Sequence, residues 1–226
     1  MTFIKGIKKM ALLPLLICSL ATGAQAQPQG AGEVKPDPAP VTRQVILIVI
    51  DGLQADAVSA ATTPNINGLG MAGVVAEKVS VMPPDNPEAR FYSLLCGYDL
   101  AVGNTFSPES TLLAGMEKKG IKTVLIDGTG GFAKAAQGLS YQYPGPFKDD
   151  GEVVDRAVEM IKNKKPFLTV MVLAGPGREK ALTGTGSKTY LEAVATADNE
   201  VGRFLRQLHI DGQYEESLLA VAGTTG

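Results

Sequence analysis

The chain has 226 residues, with 21 Lys and Arg, 23 Asp and Glu, one His, two Cys and no Trp. At 45% hydrophobic and 19% charged residues, it has a globular composition, neither disordered nor fibrous. Three of the bases, Lys5, Lys8 and Lys9, stand in a stretch of 26 residues without an acid, so the remaining 200 residues hold 18 bases against 23 acids. A mildly acidic body with no basic stripe argues against nucleic acid as a partner. One His and two Cys exclude a four-ligand His/Cys zinc site within one chain and a framework of several disulfides.

Residues 1–26 have the layout of an export signal. The three lysines form a positive start, Met10 to Ala21 form an apolar run, and Ala24-Gln25-Ala26 supplies a cleavage site that makes Gln27 the mature N-terminus. The apolar run falls short of the roughly 20 residues that a membrane span requires. Ile17 is bulky where a small residue would precede a lipidated Cys18, which argues against a lipoprotein. Cleavage predicts a periplasmic or extracellular protein with no membrane span and with Cys96 as its single thiol. Residues 27–42 contain four prolines and almost no large apolar side chain, so they read as a flexible or partly extended linker. The folded unit, 43–226, has the size of one α/β domain.

Within it, Val45 to Ile50 (VILIVI) is a continuous β-branched run, as in a parallel strand buried on both faces, and it stops at Asp51-Gly52. Val74 to Val81 is a weaker strand. Ser107-Pro108-Glu109 supplies a cap, a first-turn proline and an early acid for a helix ending at Lys118-Lys119-Gly120. Ile121 to Ile126 is a strand ended by Asp127-Gly128. Asp150 to Asn163 places Val153, Val154, Ala157, Val158 and Ile161 on one helical face. Phe167 to Leu173 is a strand, the glycine-rich 175–186 a loop, Ser187 to His209 a long amphipathic helix, and Ser217 to Ala222 the fifth strand. The alternation predicts an α/β fold: a doubly wound, mainly parallel sheet with helices on both faces. In such sheets ligands sit at the carboxyl ends of the strands, which singles out Asp51 and Asp127.

The run VILIVIDGLQADAVSAATTPNINGL resembles the opening of the alkaline phosphatase superfamily, in the type I phosphodiesterase/nucleotide pyrophosphatase branch. Ser80 to Pro83 and Tyr92 to Gly97 resemble the two sides of its nucleophile segment. Lys165 to Leu168, Tyr190 to Ala193 and Val201 to Arg203 resemble its later strand and helix. The resemblance implies an alkaline phosphatase-like core. It also implies a reaction in which two Zn²⁺ ions, held by Asp and His, activate a Thr or Ser nucleophile.

Most of that equipment is missing. Asp51 matches the family's first Asp. Where the family has Pro-Thr-x-Thr-x-Pro-Asn-His-Tyr, this chain reads Met82-Pro83-Pro84-Asp85-Asn86-Pro87-Glu88-Ala89-Arg90-Phe91-Tyr92. The nucleophile falls on Asn86 or Pro87, and neither supplies an alkoxide. The family's Asp-x-x-x-His meets Gly177 and Ala181, and its Ser-Asp-His-Gly meets Gly223-Thr224-Thr225-Gly226. Asp51 is then a vestigial metal-site candidate, holding at most a weak, oxygen-bound Mg²⁺ or Ca²⁺, or else bonding its own turn. Stoichiometric zinc is not expected. Asp85 and Asn86 form the degenerate nucleophile segment, with Asp85 either a stray carboxylate or part of a Pro-rich turn.

Further readings are structural. Gly128-Thr129-Gly130-Gly131 follows a strand as a phosphate cradle would, yet lacks the Lys and spacing of a P-loop. Cys96 reads as a small buried hydrophobe, and His209 as a helix-terminal cation. The expectation is an exported, non-catalytic phosphodiesterase-like domain acting in binding or assembly, its partner a protein or a second copy. The alternative is a metal-dependent phosphodiesterase or sulfatase-like hydrolase with a rearranged or truncated site.

Overall fold

The structure, a computed structural model, describes residues 2–4, 42–76, 79, 86–98, 100 and 106–225. Asp85, most of the export signal with its cleavage site, and nearly all of the linker lie outside the described residues.

Among the described residues, seven strands form one sheet: β1 (Thr2–Ile4), β2 (Gln44–Ile50), β3 (Val74–Ala76), β4 (Thr123–Asp127), β5 (Tyr141–Pro144), β6 (Leu168–Leu173) and β7 (Ser217–Gly223). Their order is β3-β1-β7-β2-β6-β4-β5. The pairs β7-β2, β2-β6, β6-β4 and β4-β5 are parallel, whereas β1 runs antiparallel to both β7 and β3. The helices are α1 (Ala55–Ala60), α2 (Pro64–Ala72), α3 (Pro87–Cys96), α4 (Leu112–Glu117), α5 (Asp150–Lys164), α6 (Gly175–Thr183) and α7 (Lys188–Ile210).

The β-branched runs do what their continuity implies. In β2, Ile46, Ile48 and Ile50 turn to one face and pack with Leu69 of α2, Val154 and Ile161 of α5, and Val201 and Phe204 of α7. Val49 turns to the other face with Leu125, Val170 and Val172, against Phe91 and Leu95 of α3 and Leu113 of α4. Two apolar layers sandwich the sheet, which is the doubly wound arrangement. Each fully buried Ile or Leu contributes about 1.5–3 kcal/mol relative to an exposed one.

Four local expectations change. Residues 175–186 are not a loop throughout: 175–183 form α6, because Pro176 suits a first turn and Asp150 accepts the leading amides. Ser107 makes no side-chain cap; Pro108–Ser110 is one 3-10 turn, and the hydroxyl of Thr111 accepts from Ala114 N at 3.1 Å to open α4. The strand expected over Val74 to Val81 is described only as Val74–Ala76, and most of its remainder lies outside the described residues. Cys96 is half-buried rather than buried, its Sγ 3.3 Å from Ser110 Oγ. His209 closes α7 as expected, stacked on Tyr214 with centroids 3.8 Å apart.

Candidate functional site at the carboxyl edge of the sheet

Four neighbouring strands, β7, β2, β6 and β4, deliver Thr224-Thr225, Asp51-Gly52, Ala174-Gly175 and Asp127-Gly128 to one edge of the sheet. Parallel register makes this convergence. Ile50 pairs with Gly223 on one side and Leu173 on the other, so the residues just beyond these strands meet.

Asp51 is held from both sides. Thr224 Oγ1 donates to Asp51 Oδ1 at 2.7 Å and accepts from Gly52 N at 2.9 Å. Tyr190, fully buried on α7, donates its hydroxyl to Gly52 O at 2.9 Å and accepts from Gln54 N at 3.2 Å. The first turn of α6 lies directly against the carboxylate, and a Cβ built on Gly177 would overlap Asp51 Oδ2. Gly52 needs its missing side chain too: its φ is +72°, and a Cβ there would come 2.5 Å from Gly177 Cα. Burial raises the Asp51 pKa, with nearby Asp127 adding to the rise; bonds from Thr224 and Gly52 and the charge of Lys180 pull the other way without cancelling it.

Asp127 serves its own loop. Its Oδ1 accepts from Thr129 N at 2.9 Å and Thr129 Oγ1 at 2.6 Å, while Oδ2 accepts from Phe132 N at 2.8 Å. Of the amides that a phosphate cradle over 128–131 would present, Thr129 N is already given to the Asp127 carboxylate, Gly128 N donates to Val172 O at 3.0 Å and Gly131 N donates to Thr129 Oγ1 at 2.9 Å. Asp150, at the start of α5, takes Ala174 N at 2.7 Å and Gly175 N at 3.1 Å. Burial raises its pKa, while those two bonds and Arg178 oppose the rise. Arg178 itself donates to Gly128 O, Phe147 O and Lys148 O at 3.1, 3.0 and 2.9 Å, pinning α6 to two loops.

On the opposite side of Thr224 lies α3. Asn86 caps it, accepting from Glu88 N at 3.0 Å and Ala89 N at 3.2 Å, and Arg90 Nη1 donates to Thr224 O at 3.2 Å. The helix is wedged by aromatic stacking: Phe91 on Phe132 (4.1 Å) and Tyr92 on Phe106 (3.7 Å). Burial and the Glu88 carboxylate push the Tyr92 phenol up. The structure thus brings Asp51 and the helix that Asn86 caps to opposite sides of Thr224.

A two-zinc centre does not fit these residues. It needs several carboxylate or imidazole donors with lone pairs facing a shared space. One oxygen of Asp51 accepts Thr224, and the other abuts the α6 backbone. Asp127 is saturated by its loop, the Asn86 side chain is spent on its own helix, and Ala181 and Gly177 have nothing to coordinate with. Among the described residues no group of three or more His, Cys, Asp or Glu is arranged to hold a metal ion.

The sequence reading passed over Thr224 as a bonding partner, Asp150, Arg178 and Asp198. Asp198, fully buried on α7, accepts Ile66 N at 2.8 Å, Asn65 N at 3.2 Å and Asn65 Nδ2 at 2.7 Å. It caps α2 from another element, since Thr63 makes no cap of its own. A buried acid on the apolar face of a helical pattern was the available signal.

The fold is that of the alkaline phosphatase superfamily. Human ectonucleotide pyrophosphatase/phosphodiesterase 5 superposes with a TM-score of 0.67 at 14% identity, over 80% of this chain and 56% of that one. The murine enzyme, solved as an inactive variant in complex with AMP, gives the same four values. Phosphonate monoester hydrolase from Silicibacter pomeroyi follows at TM-score 0.52 and 14% identity, over 81% of this chain and 62% of that one. The chain thus spans little more than half the length of the phosphodiesterases it resembles. No family model and no curated protein matches the sequence. No helix among the described residues is long and apolar enough to cross a membrane.

Proposed function

We propose that this chain is an exported, non-catalytic alkaline phosphatase-fold domain that acts in binding or assembly. The observation that carries the reading is the state of Asp51. Its carboxylate fills the space beside Gly177, where the superfamily's next ligand would project, and it is bonded to Thr224 rather than aimed at open space. A cation placed there would have to displace the Thr224 hydroxyl and find other donors among hydroxyls and amides. Groups that act as a unit in such hydrolysis are not replaced one at a time, so losing the nucleophile and several ligands together removes catalysis rather than weakening it.

The test is turnover of an aryl phosphodiester, a phosphonate monoester and an aryl sulfate by the purified full chain, with Zn²⁺ and then Mg²⁺ supplied. The expected result is no rate above buffer, the same for Asp51→Ala, and less than one zinc per ten chains after dialysis. Turnover that Asp51→Ala abolishes would overturn this reading and establish the rearranged hydrolase in its place. Export is tested separately, by N-terminal sequencing of protein from the envelope or medium. It should begin at Gln27, and an intact Met1 on cytosolic protein would refute the proposed processing.

A further inference from the structure

Thr2–Ile4 lie inside the proposed export signal, yet they form β1, antiparallel to β7 on one side and to β3 on the other. Among the described residues β3 has no other ladder, so it joins the sheet only through β1. Cleavage after Ala26 would therefore take away the strand that ties Val74–Ala76 to β7 and empty a slot one strand wide. The slot asks three things of a new occupant. It must run antiparallel to β7 with an N–H at every residue. Its middle residue must suit the position facing Val221 and Val75, which belong to the apolar layer between the sheet and α2, α5 and α7. Its outer residues must suit the positions beside Val74 and Ala76, which are exposed.

We propose that, once residues 1–26 are removed, Glu33-Val34-Lys35 of the same chain takes the place of Thr2-Phe3-Ile4. In the full chain these three lie outside the described residues. The proposal rests on the export reading above, which supplies the removal, and says how the processed domain keeps its sheet closed. Prolines at 28, 36, 38 and 40 leave 29–35, QGAGEVK, as the one stretch of the linker with more than two successive N–H groups. Within it a single three-residue window has a large apolar side chain in the middle, and that window is 33–35. Val34, a favoured strand residue, then faces Val221 and Val75, while alternation turns Glu33 and Lys35 to the exposed face. The direction fits as well. A strand that starts level with Ala222 and ends level with Ala220 points toward Ser217, and Gln44 begins β2 opposite Ser217. From that exit the chain must cross two strand spacings, about 10 Å, and descend three residues, about another 10 Å. Residues 36–43 reach about 25 Å even as a proline-rich extended helix. β1 is joined to β2 only through the longer loop 5–43, with the greater closure entropy. Thr, Phe and Ile are strand formers whereas Glu and Lys are not, so Thr2–Ile4 hold the slot in the full chain and 33–35 succeed them when they are gone.

The experiment is amide hydrogen exchange on the full chain as wild type, Phe3→Pro and Phe3→Pro/Val34→Pro. A proline at position 3 expels β1 without any cleavage. In wild type, Val74–Ala76 are expected to be protected and Val34 is not. In Phe3→Pro, Val34 should gain at least tenfold protection while Val74–Ala76 keep theirs. Adding Val34→Pro should lower protection of Val74–Ala76 at least tenfold and leave β2 and β6 protected. An unprotected Val34 in Phe3→Pro would overturn the proposal, whatever β3 does. So would a Val34 already protected in wild type, or equal protection of Val74–Ala76 in the two variants. A Phe3→Pro chain that fails to fold would overturn it too, since no segment would then have replaced β1. None of these readings depends on cleavage or turnover, so the strand replacement, the export reading and the non-catalytic reading fail separately.

Discussion

Asp51 Oδ2 stands where the Cβ of residue 177 would have to be, and residue 177 is glycine. In this chain the first carboxylate of the edge and the first turn of α6 share one small volume. Each excludes what the other would need in order to hold a metal between them.

Gly177→Ala should therefore destabilise the protein, against the helix propensity that favours Ala over Gly by about 1 kcal/mol. The overlap with Asp51 forces a shift of backbone or carboxylate, at a cost of about 1–3 kcal/mol. Combining it with Asp51→Gly should recover much of the loss, because the two residues touch. Urea melts of the four proteins of this cycle measure the coupling. Additive losses would show that α6 yields freely.

The pH dependence follows from two raised carboxyl pKa values, those of Asp51 and Asp150. A raised folded pKa means that the native state binds the proton more tightly than the unfolded chain does. The contribution of each group to stability is then lost as pH rises through the folded value and gained as pH falls toward the ordinary carboxyl range. Asp51→Asn should keep the Thr224 bond through its amide oxygen and be at least as stable as wild type at pH 8. Melts at pH 8 and pH 4.5 should show wild type gaining on the variant in acid. The reverse trend would mean that Asp51 is stabilised as an anion.

Thr224→Val removes a donor to Asp51 and an acceptor for Gly52 N with little change of shape. A loss of about 1–3 kcal/mol is expected, larger at pH 8 than at pH 4.5, since a bond to a charged acceptor is the stronger one. Equal losses at both pH values would show that the hydroxyl does not serve the charged form.

Asp198→Ala strips three donors of their acceptor at the start of α2. Buried amides left unpaired make this an expected loss of about 2–4 kcal/mol, beyond an ordinary surface cap. Exchange should accelerate first at Asn65 and Ile66.

The central strands were legible because β4 and β6 are buried at every position, and β2 and β7 are buried or half-buried throughout, and burial of that kind writes itself as continuous apolar sequence. The helices α5 and α7 were legible from one-sided periodicity. What failed to show was structure held by partners far along the chain. Sequence 175–183, GPGREKALT, has no apolar face; it is helical because Asp150 takes its first amides and Arg178 ties it down. The short β5, YQYP, ends in proline and exists as an edge beside β4. β1 sits in a segment whose lysines and apolar run point to export. At the site, the aspartates ending two strands were visible, but Thr224 is 173 residues from Asp51. Only parallel register brings those ends together.

Asp198 reaches Asn65 across 133 residues of sequence, and this sets an order on synthesis. When α2 first emerges from the ribosome, the carboxylate that will satisfy its leading amides has not been translated. Local contacts can begin the helix, but its entry point stays open to water until α7 is complete and docks. The first half of the chain therefore waits for the second, and a nascent product halted before residue 198 carries β2, an aggregation-prone strand, beside a helix with nothing to close it.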